Sequence, residues 1–160
     1  MASSNELTKC VLLHCDKTLE NETERFATTL RSKCGHLLLE TLESLILKAK
    51  GKDQEQKLDN VINKYADKVI IVCSPILFQF IDKKSIENIT DFFKANEKLC
   101  RKHLLELLKK DSKKRGKLVL ISFNVIQAFS KEVQQTSVIT KGDDDSLFIN
   151  RVLSEIIKIK

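Results

Sequence analysis

Four uninterrupted apolar runs constrain the fold of this chain more than any other feature of its sequence. The runs are Cys10–Leu13, Leu37–Leu39, Val69–Cys73 and Leu118–Ile121. Polar residues do not alternate with the apolar ones, which is typical of strands that are covered on both faces. The last two runs are rich in valine and isoleucine, which favour strands. Ser137–Thr140 is a weaker fifth candidate, so the sequence predicts five strands.

Segments with helical spacing separate the predicted strands. Apolar residues recur every three or four positions in each segment, which gives a helix one apolar stripe. In chain order the stripes are Leu19, Thr23, Phe26 and Leu30; Leu58, Val61, Ile62 and Tyr65; Ile86, Ile89 and Phe93; Cys100, Leu104, Leu107 and Leu108; and Ile149, Val152, Leu153 and Ile156. Asp143–Ser146 precedes the last stripe and supplies N-cap candidates.

This alternation of strands and helices predicts an α/β domain with a mostly parallel sheet. Right-handed crossovers make a doubly wound sheet, with helices on both faces, the expected topology. Only four glycines and one proline occur in the 160 residues, which leaves few turn residues for a sandwich or a barrel. The length fits one domain.

Hydropathy and cysteine usage predict a cytosolic protein. No apolar run approaches the ~20 residues that a membrane span needs, and Met1–Lys9 lacks the apolar core of a secretory signal. The five cysteines are spread along the chain without the spacing of a disulfide framework or a metal site. We therefore expect free, mostly buried thiols at Cys10, Cys15, Cys34, Cys73 and Cys100.

The net charge of +6 is concentrated in one basic stretch, Lys109–Lys117. Such a stretch is able to contact the phosphates of a nucleic acid or of an anionic lipid. No aromatic residue interleaves with these charges, as a base-stacking surface requires. A solvated loop is the simpler interpretation, so nucleic acid is not an expected partner. Binding of nucleic acid or of an anionic lipid through this stretch stands as an alternative function.

Chemically useful residues are sparse where doubly wound proteins bind ligands, beyond the carboxyl ends of the strands. The candidates there are Asp16, Glu40, Glu43, Ser74 and Asn124. Asp16-Lys17-Thr18 stands where a dinucleotide-binding protein has its glycine-rich turn, and no P-loop occurs. The histidines, His14, His36 and His103, have no evident nucleophile or metal-ligand spacing. We therefore predict no catalytic residue, no cofactor and no metal.

Two segments carry a family pattern. Lys9–Asp16 is an apolar strand that ends in an acidic turn, and Tyr65–Pro75 contains a lysine-led apolar strand that ends in Ser-Pro. Both resemble SEFIR domains, the cytoplasmic modules of interleukin-17 receptors and their adaptor, which are related to Toll/interleukin-1 receptor (TIR) domains. Leu104–Leu108 followed by Gly116–Phe123 is similar to the third helix and fourth strand of that family, and Phe148–Leu153 to its closing helix.

The resemblance spans about Thr8 to Ile157 and implies a flavodoxin-like, five-stranded fold. On this basis residues 1–8 are predicted to be a flexible N-terminus and residues 9–160 a single SEFIR/TIR-like domain. Phe26–Leu30 and Leu37–Glu43 look like the first helix and second strand of the family.

The resemblance also implies a role in cytoplasmic signalling. SEFIR domains bind other SEFIR domains, homotypically or heterotypically, and so couple a receptor to an adaptor; the membrane is reached only through a receptor partner. The helix before the fourth strand is an important contact surface in that family. The outward-facing members among the matching residues are predicted to form the interface: Leu99, Arg101, Lys102, His103, Leu105, Glu106 and Lys109.

An enzymatic alternative follows from the same relationship. Some TIR domains cleave NAD with a glutamate on the helix before the fourth strand, and Glu106 lies near the matching position. A solvated helix glutamate is the simpler interpretation. Ser44–Gln54 stands where TIR domains have their BB loop, yet it is lysine-rich and lacks the Arg-x-x-x-Pro-Gly pattern, which favours SEFIR over TIR.

Overall fold

The computed structural model describes residues 8–48, 54–82, 87–108, 117–124 and 138–157. Five strands form one sheet in which every neighbouring pair is parallel, in the order β2-β1-β3-β4-β5. They are β1 (Thr8–Leu13), β2 (Leu37–Thr41), β3 (Lys68–Val72), β4 (Leu118–Ser122) and β5 (Val138–Thr140). All five predicted strands and the flavodoxin-like α/β fold class are confirmed.

Seven α-helices connect and cover the strands in the described part of the chain. They are α1 (Glu20–Lys33), α2 (Leu42–Lys48), α3 (Gln54–Asn60), α4 (Pro75–Ile81), α5 (Asp91–Ala95), α6 (Glu97–Leu108) and α7 (Asp145–Ile157). A 3₁₀ turn, Lys17–Leu19, precedes α1, and α3 continues as a π-helical segment, Val61–Tyr65. Because α2 follows β2 directly, the first half of the BB-loop position is helical; residues 49–53 lie outside the described residues.

The helices divide between the two faces of the sheet, as predicted. One core contains the buried side chains of α1 and α7, and the other contains those of α2 to α6. Successive side chains of a strand point to opposite faces, so Val69 and Ile71 enter the second core while Ile70 and Val72 enter the first. Every residue of β3 is buried, which explains the uninterrupted apolar run Val69–Cys73.

Polar side chains cap the N-termini of two helices, α4 and α7. The Ser74 hydroxyl accepts a hydrogen bond from the Leu77 amide at 3.2 Å, and Pro75 occupies the first turn, where its missing amide hydrogen costs nothing. The Ser-Pro pair after β3 is therefore a helix-start signal. At α7 the carboxylate of Asp144 accepts from the amides of Ser146 and Leu147, which confirms the N-cap predicted there.

The helix predicted from Ile86, Ile89 and Phe93 is wrong at Ile89. Ile89 lies in extended backbone and forms an isolated antiparallel bridge with Asp16, and α5 begins only at Asp91. Asn88 adopts a left-handed conformation (φ 63°) that turns the chain away from a helix. Two backbone hydrogen bonds join the residues beside Ile89 to the chain after β1: Lys17 to Asn88 and Thr90 to Cys15. They hold Ile89 in extended conformation although its spacing to Phe93 is helical. Ile86 lies outside the described residues.

The first strand starts at Thr8, and residues 1–7 lie outside the described residues, so the predicted division at residue 8 stays a prediction. Within the described ranges, no helix combines the length and the apolarity that crossing a bilayer requires.

Replacing Ser74 with alanine should lower the free energy of unfolding by about 1 kcal/mol, because the first turn of α4 loses its cap. Urea denaturation at neutral pH measures this. Ser154→Ala is the matched control, since Ser154 is exposed within α7, where alanine favours the helix. Equal stability of Ser74→Ala and wild type would contradict the capping role.

Candidate functional site

Helix α6 holds most of the residues that the resemblance assigns to partner contact. Its buried face consists of Cys100, Arg101, His103, Leu104, Leu107 and Leu108. Arg101 and His103 therefore point inward and leave the candidate interface. Lys102 is exposed, and Leu99, Leu105 and Glu106 are half-buried. Lys109 lies outside the described residues. We call these four outward residues, Leu99, Lys102, Leu105 and Glu106, the α6 surface.

Arg101 fastens α6 to α4. Its Nε donates a hydrogen bond to the Phe80 carbonyl at 2.7 Å, and its Nη2 donates to the Glu97 carboxylate at 3.0 Å. The guanidinium also lies over the Phe80 ring, 4.7 Å from its centroid, a favourable cation–π arrangement. Arg101 is thus a structural residue that fixes the helix bearing the α6 surface.

The carboxyl end of β1 is closed by the chain itself. In the order β2-β1-β3-β4-β5 the direction of winding reverses between β1 and β3, which is where folds of this type bind ligands. Here the segment Asn88–Thr90, which we call the strap, pairs with the residues after β1. The Lys17 amide donates to the Asn88 carbonyl at 2.8 Å, and the Thr90 amide donates to the Cys15 carbonyl at 2.9 Å.

The polar residues predicted beyond the strand ends do not form one cluster of free side chains. Asp16 is buried, and its carboxylate accepts hydrogen bonds from the amide and hydroxyl of Thr18. Asp16 is thereby the N-cap of the 3₁₀ turn. Ser74 caps α4. Glu43 lies exposed in the first turn of α2, and Asn124 is exposed after β4. Two of the predicted candidates are therefore occupied in holding local structure.

His14 lies at the carboxyl end of β1 beside a cavity of about 10 Å³ that Glu43 and Thr90 also line. A cavity of this size has room for about one water molecule. Its Nε2 is buried and has no hydrogen-bond partner among the described residues. Burial lowers the pKa of His14, and the nearby carboxylates of Glu20 and Glu43 oppose that effect. The imidazole is therefore biased towards its neutral form.

The cysteines are free in the structure, as predicted, and four are buried. Burial raises the pKa of Cys10, Cys73 and Cys100 to about 12, and the pKa of Cys15 is raised as well. A thiol must lose its proton to act as a nucleophile or a metal ligand. These four are inert core residues at neutral pH, and Cys34 is half-buried.

An open cleft lies between α1 and α7, beyond the ends of β4 and β5. Its volume is about 260 Å³. Phenylalanine rings line its base and four charged side chains surround it; the base is Phe26, Phe123 and Phe148, and the charged residues are Glu22, Arg25, Lys141 and Asp145. The sequence offers no motif for this cleft, because its members lie on four separate elements.

The two alternative functions stay predictions. Glu106 lines neither the cleft nor the small cavity. In the basic stretch, only Lys117 is described, and its ammonium donates to the carbonyls of Ile62 and Asn63 within the π-helical segment. Among the described residues, no group of three or more His, Cys, Asp or Glu is placed to hold a metal ion.

No protein-family model matches the sequence, and no curated protein matches it. The functional assignment therefore depends on the residues of this chain and on the fold that they form.

Replacing Arg101 with alanine should lower the free energy of unfolding by about 1.5–3 kcal/mol, since hydrogen bonds to a charged group are lost. Lys102→Ala, one position along the same helix, should change it by less than about 0.5 kcal/mol, because that side chain is exposed. Guanidinium chloride denaturation compares the two. Equal effects would contradict the fastening role of Arg101.

As the pH is lowered, the free energy of unfolding should decrease more steeply in the wild type than in the His14→Gln variant. The pKa of His14 is lowered in the folded state, whereas in the unfolded state it is about 6.5. Protonation therefore favours unfolding: the stabilisation is complete above about pH 6.5 and is lost as the pH falls below that value towards the lower folded pKa. Urea denaturation at intervals between about pH 7.5 and pH 5 measures both slopes. Parallel slopes would contradict a buried, neutral His14.

Proposed function

We propose that this chain is a cytoplasmic signalling module that binds another SEFIR-type domain through the α6 surface. Two independent features support the proposal. The resemblance implies a flavodoxin-like sheet with an interaction helix before the fourth strand. The described fold has that sheet, and α6 is the helix that precedes β4.

The composition of the α6 surface is the observation that carries the proposal. Leu99, Lys102 and Glu106 follow one another at spacings of three and four residues, so they lie along one side of the helix. Leu99 and Leu105 are half-buried and pack against the edge of the core, which leaves part of each side chain accessible. Half-buried leucines beside one cation and one anion offer apolar area together with charges that select a partner.

The rigidity of α6 supports a docking role. The helix is held from below by its buried leucines and from the side by Arg101. A surface that is ordered before binding loses less conformational entropy when a partner docks. The α6 surface is thus organised in advance, and its contacts do not require a loop to fold.

Charge reversal on the α6 surface tests the proposal. Purified wild-type protein should bind at least one SEFIR domain, from an interleukin-17 receptor tail, from the adaptor or from a second copy of this chain. Lys102→Glu should weaken that binding about tenfold or more, because it replaces the cation of the α6 surface with an anion and so reverses the charge that the partner must match. Isothermal titration calorimetry or analytical ultracentrifugation gives the dissociation constants.

Arg151→Glu is the matched control, because Arg151 is exposed on α7, on the opposite face of the sheet. It should bind like wild type. Both variants should retain the circular dichroism spectrum and unfold within about 0.5 kcal/mol of wild type. Absence of binding to every SEFIR domain would refute the function, whereas equal weakening by both variants would refute the α6 surface as its site.

A further inference from the structure

The cleft between α1 and α7 has the construction of a ligand site. It lies beside the first three turns of α1 and the first two turns of α7, where Phe26 and Phe148 contact Phe123, which follows β4. This position is beyond the carboxyl ends of the strands, the side of a doubly wound sheet that binds ligands. It is separate from the strap and from the α6 surface, because α6 lies on the other face of the sheet.

The base of the cleft is a rigid aromatic cluster. The ring centroids of Phe26 and Phe123 are 5.6 Å apart, those of Phe26 and Phe148 5.7 Å, and those of Phe123 and Phe148 6.1 Å. Tilted and edge-to-face contacts at such distances are favourable. All three rings are buried, so a flat apolar group that enters the cleft meets a surface that is already packed.

The four charged side chains around the cleft balance, and Arg25 is the cation among them that is left unpaired in the described part of the chain. Asp145 is paired with Lys141 at 3.2 Å, whereas the guanidinium of Arg25 forms no hydrogen bond or ion pair within the described residues. Glu22 and Asp145 both lie in the first turn of a helix, where the positive end of the helix dipole offsets part of their charge. Arg25 is therefore the cation of the cleft that is available to an anionic ligand, whereas Lys141 is neutralised by Asp145.

We propose that this cleft binds a small aromatic carboxylate, with its ring against the phenylalanine cluster and its carboxylate on Arg25. A planar guanidinium is suited to grip both oxygens of a carboxylate. The volume of about 260 Å³ lies below the ~300–1,000 Å³ of pockets for drug-sized molecules. The ligand is therefore a compound of one or two rings, and a dinucleotide is too large.

Three indoles of nearly equal shape test the charge preference. Indole-3-acetate is the anion, indole-3-acetamide its neutral analogue and tryptamine a cation. In ¹H–¹⁵N spectra of the full chain, indole-3-acetate should shift the amide signals of Thr29, Phe123 and Ile149, which line the cleft. It should bind at least tenfold more tightly than the acetamide, and tryptamine should bind most weakly. Equal binding of all three, or shifts confined to residues outside the cleft, would overturn the proposal.

Arg25→Gln tests the assigned anchor. It should weaken indole-3-acetate binding about tenfold or more, the loss expected for a charge-assisted hydrogen bond, and leave acetamide binding unchanged. Arg151→Gln removes an exposed arginine outside the cleft and should leave both unchanged. Arg25 is exposed, so its variant keeps the wild-type spectrum. No shift with millimolar indole-3-acetate, or equal losses in both variants, would refute the site. Neither result bears on SEFIR binding, which Arg25→Gln should not alter.

Discussion

The complete burial of β3 is the constraint on which the rest of this structure depends. The strand lies between β1 and β4, and all of its residues are removed from solvent. Each large aliphatic side chain that is buried contributes about 1.5–3 kcal/mol, but only if both faces of the strand are covered. The sheet must therefore have a layer of helices on each side.

The two layers differ in what they present. The layer of α2 to α6 contains the strap, which closes the end of β1, and the helix that Arg101 fastens to α4. The proposed docking residues of this layer lie on α6, a regular helix of twelve residues. In the described part of the chain, the other layer contains α1 and α7, and a cleft lies between them beyond the ends of β4 and β5. The proposed partner and the proposed ligand thus occupy opposite faces of one sheet.

The strands were predictable because burial on both faces removes polar residues from them, and this leaves a local signal in the sequence. The positions of α1, α6 and α7 were predictable for a similar reason, since each has one apolar stripe. The burial of Arg101 was not predictable, because its hydrogen-bond partner, the Phe80 carbonyl, is 21 residues away. Every residue has a backbone carbonyl, so the sequence does not mark the one that an arginine will contact. Ile89 has helical spacing to Phe93, yet pairing of the strap with the chain after β1 determines its conformation.

The cleft is the feature that was least predictable from the sequence. Phe26, Phe123 and Phe148 each read as an ordinary core residue in its own segment, and only the folded sheet brings the three rings together. The α6 surface was partly predictable, unlike the strands, which were predicted in full, and the cleft, which was not predicted. The resemblance identified the helix, while the burial of its side chains decided which residues face outward.

Hydrogen–deuterium exchange of the full chain, alone and with a bound SEFIR domain, tests most directly whether one layer of this sheet is the docking layer. In the free protein, exchange should be slowest in β3, since all of its residues are buried and it pairs with a strand on each side. Binding should slow exchange in peptides that cover α6 and leave those of α1 and α7 unchanged. Slowed exchange concentrated in α1 and α7, or rapid exchange of β3 in the free protein, would contradict this account.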